Sequence, residues 1–403
     1  MPQTLGTPAY TTSTASGMDR ALKELYSPAM NDAPINKKRV LLSRINRDAS
    51  KRSLVGRRFL EPINMRGSQA LGARASGGST PASGNQTIIE ALIPPTYNYG
   101  VVVFNLPTIF ASRNDAGAFA RVMDVEMGGM RRDAQNDQNR QLHGNGLGSL
   151  GQANGAGTST TALVMDSGHA VKTGMIIDMY TDSSGDPSST QQVNSVTVSS
   201  TTGSTTVTLA TSETWSDNAH VLREDNRANE ITGIKAAVDA TGTYMGINRA
   251  TYGEWASAEV AAAGAEISDA LVMQTILAGE EQGEGDIDVC VTDYTQFRKY
   301  GNSLVGDRRY GTSMTLPSGF VGLEIANAVL LADRDSTATT LYALDMSTFT
   351  YLQMSDGWEW DDTDGSILHK QQGGVTYEGV LVNYGELYCN DPRANAHLTG
   401  LAA

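Results

Sequence analysis

Two β-prone runs, Phe59-Leu-Glu-Pro-Ile and Thr87-Ile-Ile-Glu-Ala-Leu-Ile, are separated by a stretch that carries Gly67, Gly72, Gly77, Gly78, Pro81 and Gly84. Runs bounded in this way read as strands, and two strands joined by a long glycine-rich tip form an extended hairpin. A two-stranded ribbon has no second layer to cover its faces and is marginal in water by itself. The hairpin must therefore lie on something else.

A long helix comes after the hairpin. Ala116 to Leu142 contains no proline and places Phe119, Met123, Met127, Met130, Ala134 and Leu142 at helical spacing. That is one amphipathic helix of roughly 40 Å, with Asp115 before it in the N-cap position and Gly144 as its stop. Gly128 and Gly129 each cost about 1 kcal/mol relative to alanine, which predicts a bend or a close backbone approach there. From Ala153 to about Asn226 the composition turns to Ser, Thr and Gly, with β-prone runs at Val171 to Tyr180, Val193 to Ser199 and Thr205 to Leu209. This reads as a small all-β insertion. Beyond it, Ser268 to Glu280 is helical. Strand-like runs then occupy Ile287 to Val291, Ala328 to Ala332, Thr340 to Leu344, Phe349 to Met354 and Val375 to Cys389, an α+β arrangement. At 403 residues the chain has length for two to three domains, and no repeat of solenoid period is visible.

Charge is divided unevenly along this order. Residues 1–75 hold thirteen Lys or Arg against five Asp or Glu, and the remainder holds seventeen against thirty-nine, so a segment of +8 precedes a body of −22. Such a chain can attract copies of itself. The basic residues from Arg20 to Arg74 are interleaved with Leu22, Leu25, Val40, Leu41, Leu42, Ile45, Leu54, Val55, Phe59 and Leu60, so the segment is suited to ordering on a surface. Asp19 to Ser50 reads as helical pieces broken at Pro28 and Pro34, an arm rather than a domain. Tight nucleic-acid binding needs concentrated cations on phosphates, and a body of −22 repels DNA. The arm's cations are therefore expected to meet acidic groups of adjacent copies.

Several chemistries find no support. The five histidines are scattered without metal-binding spacing, and no serine has the glycine frame of a nucleophile elbow. The cluster Gly144, Gly146, Gly148, Gly151 closes a helix, whereas a dinucleotide fingerprint opens one. Asp362-Thr-Asp364-Gly365 resembles the centre of a calcium loop, but Trp360 and Gln371 would stand at the first and twelfth positions, so a solvated acidic turn is the better reading. Trp358 and Trp360 beside it need cover. Cys290 and Cys389 sit in apolar runs and read as buried reduced thiols. No apolar run approaches the roughly 18 residues of a membrane span, and Met1 to Gly17 lacks the charge and apolar core of a secretion signal, so synthesis in a cytoplasm is expected.

Taken in order, arm, glycine-rich hairpin, long helix, β insertion and α+β domain resemble the major capsid protein family of tailed phages, with the Hong Kong 97-like fold. The stretches that carry the likeness are Ala21-Leu-Lys-Glu-Leu-Tyr, Gly84-Asn-Gln, Gly117-Ala-Phe-Ala-Arg, Asp137-Gln-Asn-Arg-Gln-Leu-His-Gly-Asn-Gly, Asn229-Glu-Ile-Thr-Gly-Ile and Val291-Thr-Asp-Tyr-Thr-Gln-Phe-Arg-Lys-Tyr. The resemblance implies an N-terminal arm at 1–52, an extended loop with adjoining strands at 53–112, and the spine helix of a peripheral domain at 113–152. The inserted β domain would occupy 153–226, a further peripheral segment 227–262, the axial domain 263–380, and the return to the peripheral domain 381–403. By the same likeness the chain is a coat protein that self-assembles as pentamers and hexamers into an icosahedral shell around double-stranded DNA. It would be assembled in the host cytoplasm and reside in the virion, with no cofactor, no catalysis and no membrane.

Because the chain reaches the arm within about twenty residues of Met1, a separate scaffolding protein is implied, besides a portal and a decoration protein. Candidate inter-subunit contacts are Lys37, Lys38, Arg39, Arg57, Arg58, Glu61, Arg66, Arg74, Glu90, Arg131 and Arg132. Rival readings are a protein-filled nanocompartment shell of the same fold, a β-rich surface adhesin, and an enzyme. Some family members join subunits through a lysine of the extended loop, but Ser53 to Tyr97 contains none. Particles boiled in reducing denaturant should therefore run on a gel as single chains; a ladder of covalent multimers would contradict this.

Overall fold

The computed structural model describes residues 39–47, 57–68, 70–105, 116–166, 168–180, 187–199, 204–307, 313–315, 321–355, 357–363, 365–371 and 374–402. Along the chain, α1 (Val40–Arg44) and β1 (Asn46–Arg47) come before the hairpin of β2 (Phe59–Arg66) and β3 (Thr87–Ile93). Next are β4 (Thr96–Asn105) and α2 (Ala116–His143). Six strands come after α2: β5 (Ser149–Gln152), β6 (Gly157–Met165), β7 (Ile176–Tyr180), β8 (Ser189–Val198), β9 (Thr205–Trp215) and β10 (His220–Arg223). Then come α3 (Ile234–Ala237), β11 (Thr243–Tyr244), β12 (Ile247–Asn248), β13 (Ala258–Ala261), α4 (Asp269–Gly283), β14 (Val289–Thr292) and α5 (Tyr294–Asp307). The last elements are β15 (Ser313–Thr315), β16 (Val321–Ile325), β17 (Ala328–Ala332), β18 (Leu341–Leu344), β19 (Phe349–Gln353), β20 (Glu359–Trp360), β21 (His369–Lys370), β22 (Thr376–Cys389) and β23 (Ala396–Thr399).

A seven-stranded sheet, β13-β23-β18-β14-β17-β16-β15, is buried on both faces at its centre. Its apolar runs divide by alternation. Cys290, Ala328, Leu330, Leu341 and Ala343 face a core that takes in Val272 and Ile276 of α4 and Tyr300 of α5. Val289, Val291, Val329, Leu331, Tyr342 and Leu344 face a second core that reaches Phe59, Ile93, Leu142, Tyr351 and Leu387. Two-sided burial explains why these strands are apolar without a period of two. Both cysteines are free and buried, and burial pushes each thiol up to about 12.

A second sheet is built on the fourteen-residue β22, which pairs along ten residues with β4 on one edge and with β19, β20 and β21 on the other. The long helix α2 crosses one face of it. A Cβ at Gly100 would lie 3.2 Å from the sulfur of Met130, so glycine lets the helix approach β4 there. The approach expected at Gly128 and Gly129 is absent among the described residues: a Cβ at Gly128 would meet nothing within 4 Å, and one at Gly129 only Arg132, at 3.7 Å. Ala134 and Met130 of α2 cover Trp358, Trp360 and Leu381, which is the shelter the two tryptophans required. Asp115 lies outside the described residues.

Residues 137–143, the last seven of α2, are nearly all polar; Asp137 is half-buried and the other six are buried. Arg140 pairs with Glu230 (2.5 Å) and Asp137 (3.1 Å), and Arg223 also reaches Asp137 (2.8 Å). Burial alone would raise Asp137, but the two guanidiniums bring it to about 2. His143 lies 3.2 Å from Asp333, whose Oδ2 also accepts from the backbone N–H of Val40 and from Asn139. Trp358 Nε1 donates to Gln138, and Gln141 donates to Asn98 of β4.

The Ser/Thr-rich segment is a closed barrel. Its strands run β5-β10-β7-β8-β9-β6, and the bridge Ala153 to Met165, with Asn154 N–H donating to Val164 and Asp166 N–H to Gln152, joins the last strand to the first. Leu163, Met165, Ile177, Met179, Val193, Val207, Leu209 and Val221 fill it as a separate core. The barrel takes in Ser149–Gln152, four residues ahead of the composition shift.

Glu386 of β22 is wholly buried, and burial pushes its carboxyl up to about 7 despite hydrogen bonds donated by Thr96 Oγ1 and the Thr232 backbone (2.6 Å). A folded pKa above the unfolded value of 4.5 means that its contribution is fully present below pH 4.5 and is lost as pH rises through about 7. The loss is at most about 3 kcal/mol. Glu386→Gln should flatten the decline of thermal stability over that window; an unchanged decline would contradict the assignment.

Candidate assembly surfaces

The inner face of the hairpin rests on its own chain. Phe59, Met65, Ala91 and Ile93 enter the core shared with the seven-stranded sheet, Ile63 and Ile89 pack against it, and Leu92 N–H donates to Met245. The support that a two-stranded ribbon needs is thus supplied within the molecule for this face. Apart from Leu92, which packs at Gly246, the outer face and the tip have no such cover among the described residues. Leu60 and Ile88 are 54% and 65% exposed, and Leu71 in the tip is 89% exposed. Between β2 and the sheet lies a cleft of about 480 Å³ lined by Glu61, Pro62, Ile63, Asn64, Thr350, Leu352, Tyr388, Asn390 and Asp391.

A second unpartnered apolar surface lies on the sheet face opposite α2. Tyr97, Tyr99, Val101 and Val103 alternate along β4 and are all exposed, while Val102 and Phe104 between them are buried. Opposite them on β22 stand Tyr384, Val382, Val380 and Glu378. Tyr384 meets Tyr97 and Tyr99 edge-on, with ring centroids 5.4 and 5.7 Å apart, and its hydroxyl is pushed up to about 12, by burial first and then by Tyr99.

The cations and acids singled out in the sequence fall into four groups. Lys37 and Lys38 lie outside the described residues. Arg39 and Arg66 take partners within the chain: Arg39 donates to Asn136 (2.8 Å) and Gln135 (2.5 Å) of α2. Arg66 forms a two-point pair with Glu254 (2.5 and 3.1 Å) and lies over Tyr252. Glu61 lines the cleft beside Asp391. Arg57, Arg58, Arg74, Glu90, Arg131 and Arg132 are exposed, Arg132 donating to the Gly128 carbonyl (3.3 Å).

No protein-family model matches the sequence, and no curated protein matches it. Solved structures do. The capsid asymmetric unit of cyanophage A-1(L) is similar over 97% of this chain and 100% of its own, with a TM-score of 0.58 and 13% identity. The holo-SrpI encapsulin complex of Synechococcus elongatus PCC 7942 is similar over 96% and 95%, with a TM-score of 0.50 and 8% identity. The α+β fold of these shell proteins, expected from the order of elements, is the fold of this chain.

The exposed apolar residues of the hairpin touch little in their own chain, so replacing Leu60 and Ile88 together by serine should shift folding stability by no more than about 1 kcal/mol. The same double variant should assemble poorly, as read by sedimentation. A large drop in melting temperature, or normal assembly, would show that this face is not a contact between copies.

Proposed function

We propose that this chain is a major capsid protein that assembles into the closed shell of a tailed phage around its double-stranded DNA. The observation that carries the reading is the pairing of a shell-protein fold with two apolar surfaces, the outer hairpin face and the outer β4/β22 face, that one copy leaves uncovered. The hairpin face can meet a different surface of the next copy head-to-tail, and such contacts close into rings when the rotation closes, which leaves the β4/β22 face for contacts between rings. Burial over many copies then gives a shell with a high barrier to dissociation and no covalent bond.

The charge layout supports the same reading. A basic leading segment and an acidic body steer copies toward each other and fix register more than they add affinity. The shell would confine DNA as a wall with little direct binding. A separate scaffolding protein, a portal and a decoration protein complete the proposed set of partners, and the virion is the proposed location. No catalytic role is assigned.

The encapsulin likeness favours a second reading, a protein-filled compartment of the same fold. The basic arm and the barrel insertion weigh toward the phage shell. Expression with candidate scaffold should yield large regular particles or rings of five and six by sedimentation and electron microscopy. Particles from infected cells should contain DNA. A stable monomer under every assembly condition would overturn the shell reading, and particles filled with a single enzyme would favour the compartment.

A further inference from the structure

Sheet edges are where a chain meets other chains, because each presents a row of unpaired backbone donors and acceptors. The edges in the described residues are unequal. The barrel is closed and has none. In the seven-stranded sheet the outer strands β13 and β15 are four and three residues long, and β1, β20 and β21 have two residues each. The hairpin strands are longer but guarded, β2 by Pro62, Arg66 and a register shift between Asn64 and Arg66, β3 by Glu90. Proline, charge and irregular register are the ordinary means of keeping an edge from pairing.

β4 has none of these guards. It is ten residues long, Thr-Tyr-Asn-Tyr-Gly-Val-Val-Val-Phe-Asn, without charge or proline, and it pairs with β22 in unbroken register from Thr96 to Asn105. Among the described residues no strand pairs with its other side. Its exposed face carries Tyr97, Tyr99, Val101 and Val103, an apolar stripe that runs up to this open edge.

We propose that β4 pairs antiparallel with β4 of a second copy of this chain, about a two-fold axis through Gly100. The proposal rests on the shell reading above. Residues opposite each other in an antiparallel pair share a face, so self-pairing must place exposed residues opposite exposed ones. With Gly100 opposite Gly100, Tyr97 stands across from Val103 and Tyr99 across from Val101, each twice. All four side chains of both stripes are then matched, and every match is an aromatic opposite a β-branched residue, a favourable cross-strand pair. No opposite charges have to be found, which suits a strand that has no charge. The two six-stranded sheets become one of twelve strands. Ring contacts are head-to-tail, whereas this contact is two-fold and self-complementary, so it joins one ring to the next.

The test uses full-length chain bearing Tyr99→Cys and Val101→Cys together, assembled under reducing conditions and then oxidised. Cys290 and Cys389 are buried and do not compete. Residues directly opposite have Cβ atoms about 4.5 to 5.5 Å apart, near disulfide reach. The double variant should give disulfide-linked dimers of the chain in several-fold greater yield than either single variant. Val101→Lys, which places a charge on an exposed site, should still form rings of five and six but fail to close shells. Shells that form while the double variant stays monomeric after oxidation, or a Val101→Lys chain that closes shells normally, would overturn the strand pairing and leave the shell reading intact. Cross-links to a different protein would also overturn it, by giving the edge to another partner. Failure of the unaltered chain to associate at all would overturn the shell reading itself.

Discussion

The buried polar end of α2 is the constraint on which the rest of the chain depends. Asp137 to His143 form hydrogen bonds or ion pairs with the barrel (Arg223, Ser149), the loop after it (Glu230), the end of β17 (Asp333), β4 (Asn98) and the Trp358 loop. Buried polar groups carry a cost unless satisfied, so none of these segments can shift without leaving a partner orphaned. An apolar helix end would have tolerated sliding. This one fixes the position of the barrel, the seven-stranded sheet and β4 at once, and so sets the geometry of both outward apolar surfaces.

Much of the fold is legible in the sequence because it is local. The hairpin runs, α2 to within one residue, α4 with its Ser268 cap, and the strands β17, β18, β19 and β22 all lie where apolar periodicity and glycine punctuation place them. The elements that sequence reasoning misses share a cause. α5 from Tyr294 to Asp307 escapes it because the helix is short of apolar residues, with Gly301, Asn302 and Ser303 in its interior. β6, Gly157–Met165, begins Gly-Thr-Ser-Thr-Thr, a stretch that declares a strand only when its barrel neighbour β9 is present. The polar run 137–143 resembles a helix end turning to solvent, and the side chains that make it interior come from residues up to 220 positions away.

The assembly surfaces are less legible for related reasons. Along Val101-Val102-Val103-Phe104 every residue is apolar, so the sequence cannot say which face is outward, and the register with β22 decides it. Formal charge likewise says nothing of who neutralises it. Arg39 and Arg66 are engaged by α2 and by Glu254 of the same chain. Through Arg66, part of the attraction between the basic leading segment and the acidic body therefore serves to hold one molecule together, while Arg57, Arg58 and Arg74 of that segment are exposed.

The barrel enters through β5 and leaves through β10, which are hydrogen-bonded neighbours, with Ser149 opposite Leu222. Seen from the surrounding fold, more than seventy residues occupy the place of a loop whose ends already touch. Closing a loop costs entropy that rises only slowly with its length, and here the barrel's own pairing brings the ends together. The host fold is thus indifferent to how many residues lie between β5 and β10, and the module could be enlarged or exchanged as long as Ser149 and Arg223 stay in place to meet Arg140 and Asp137 of α2.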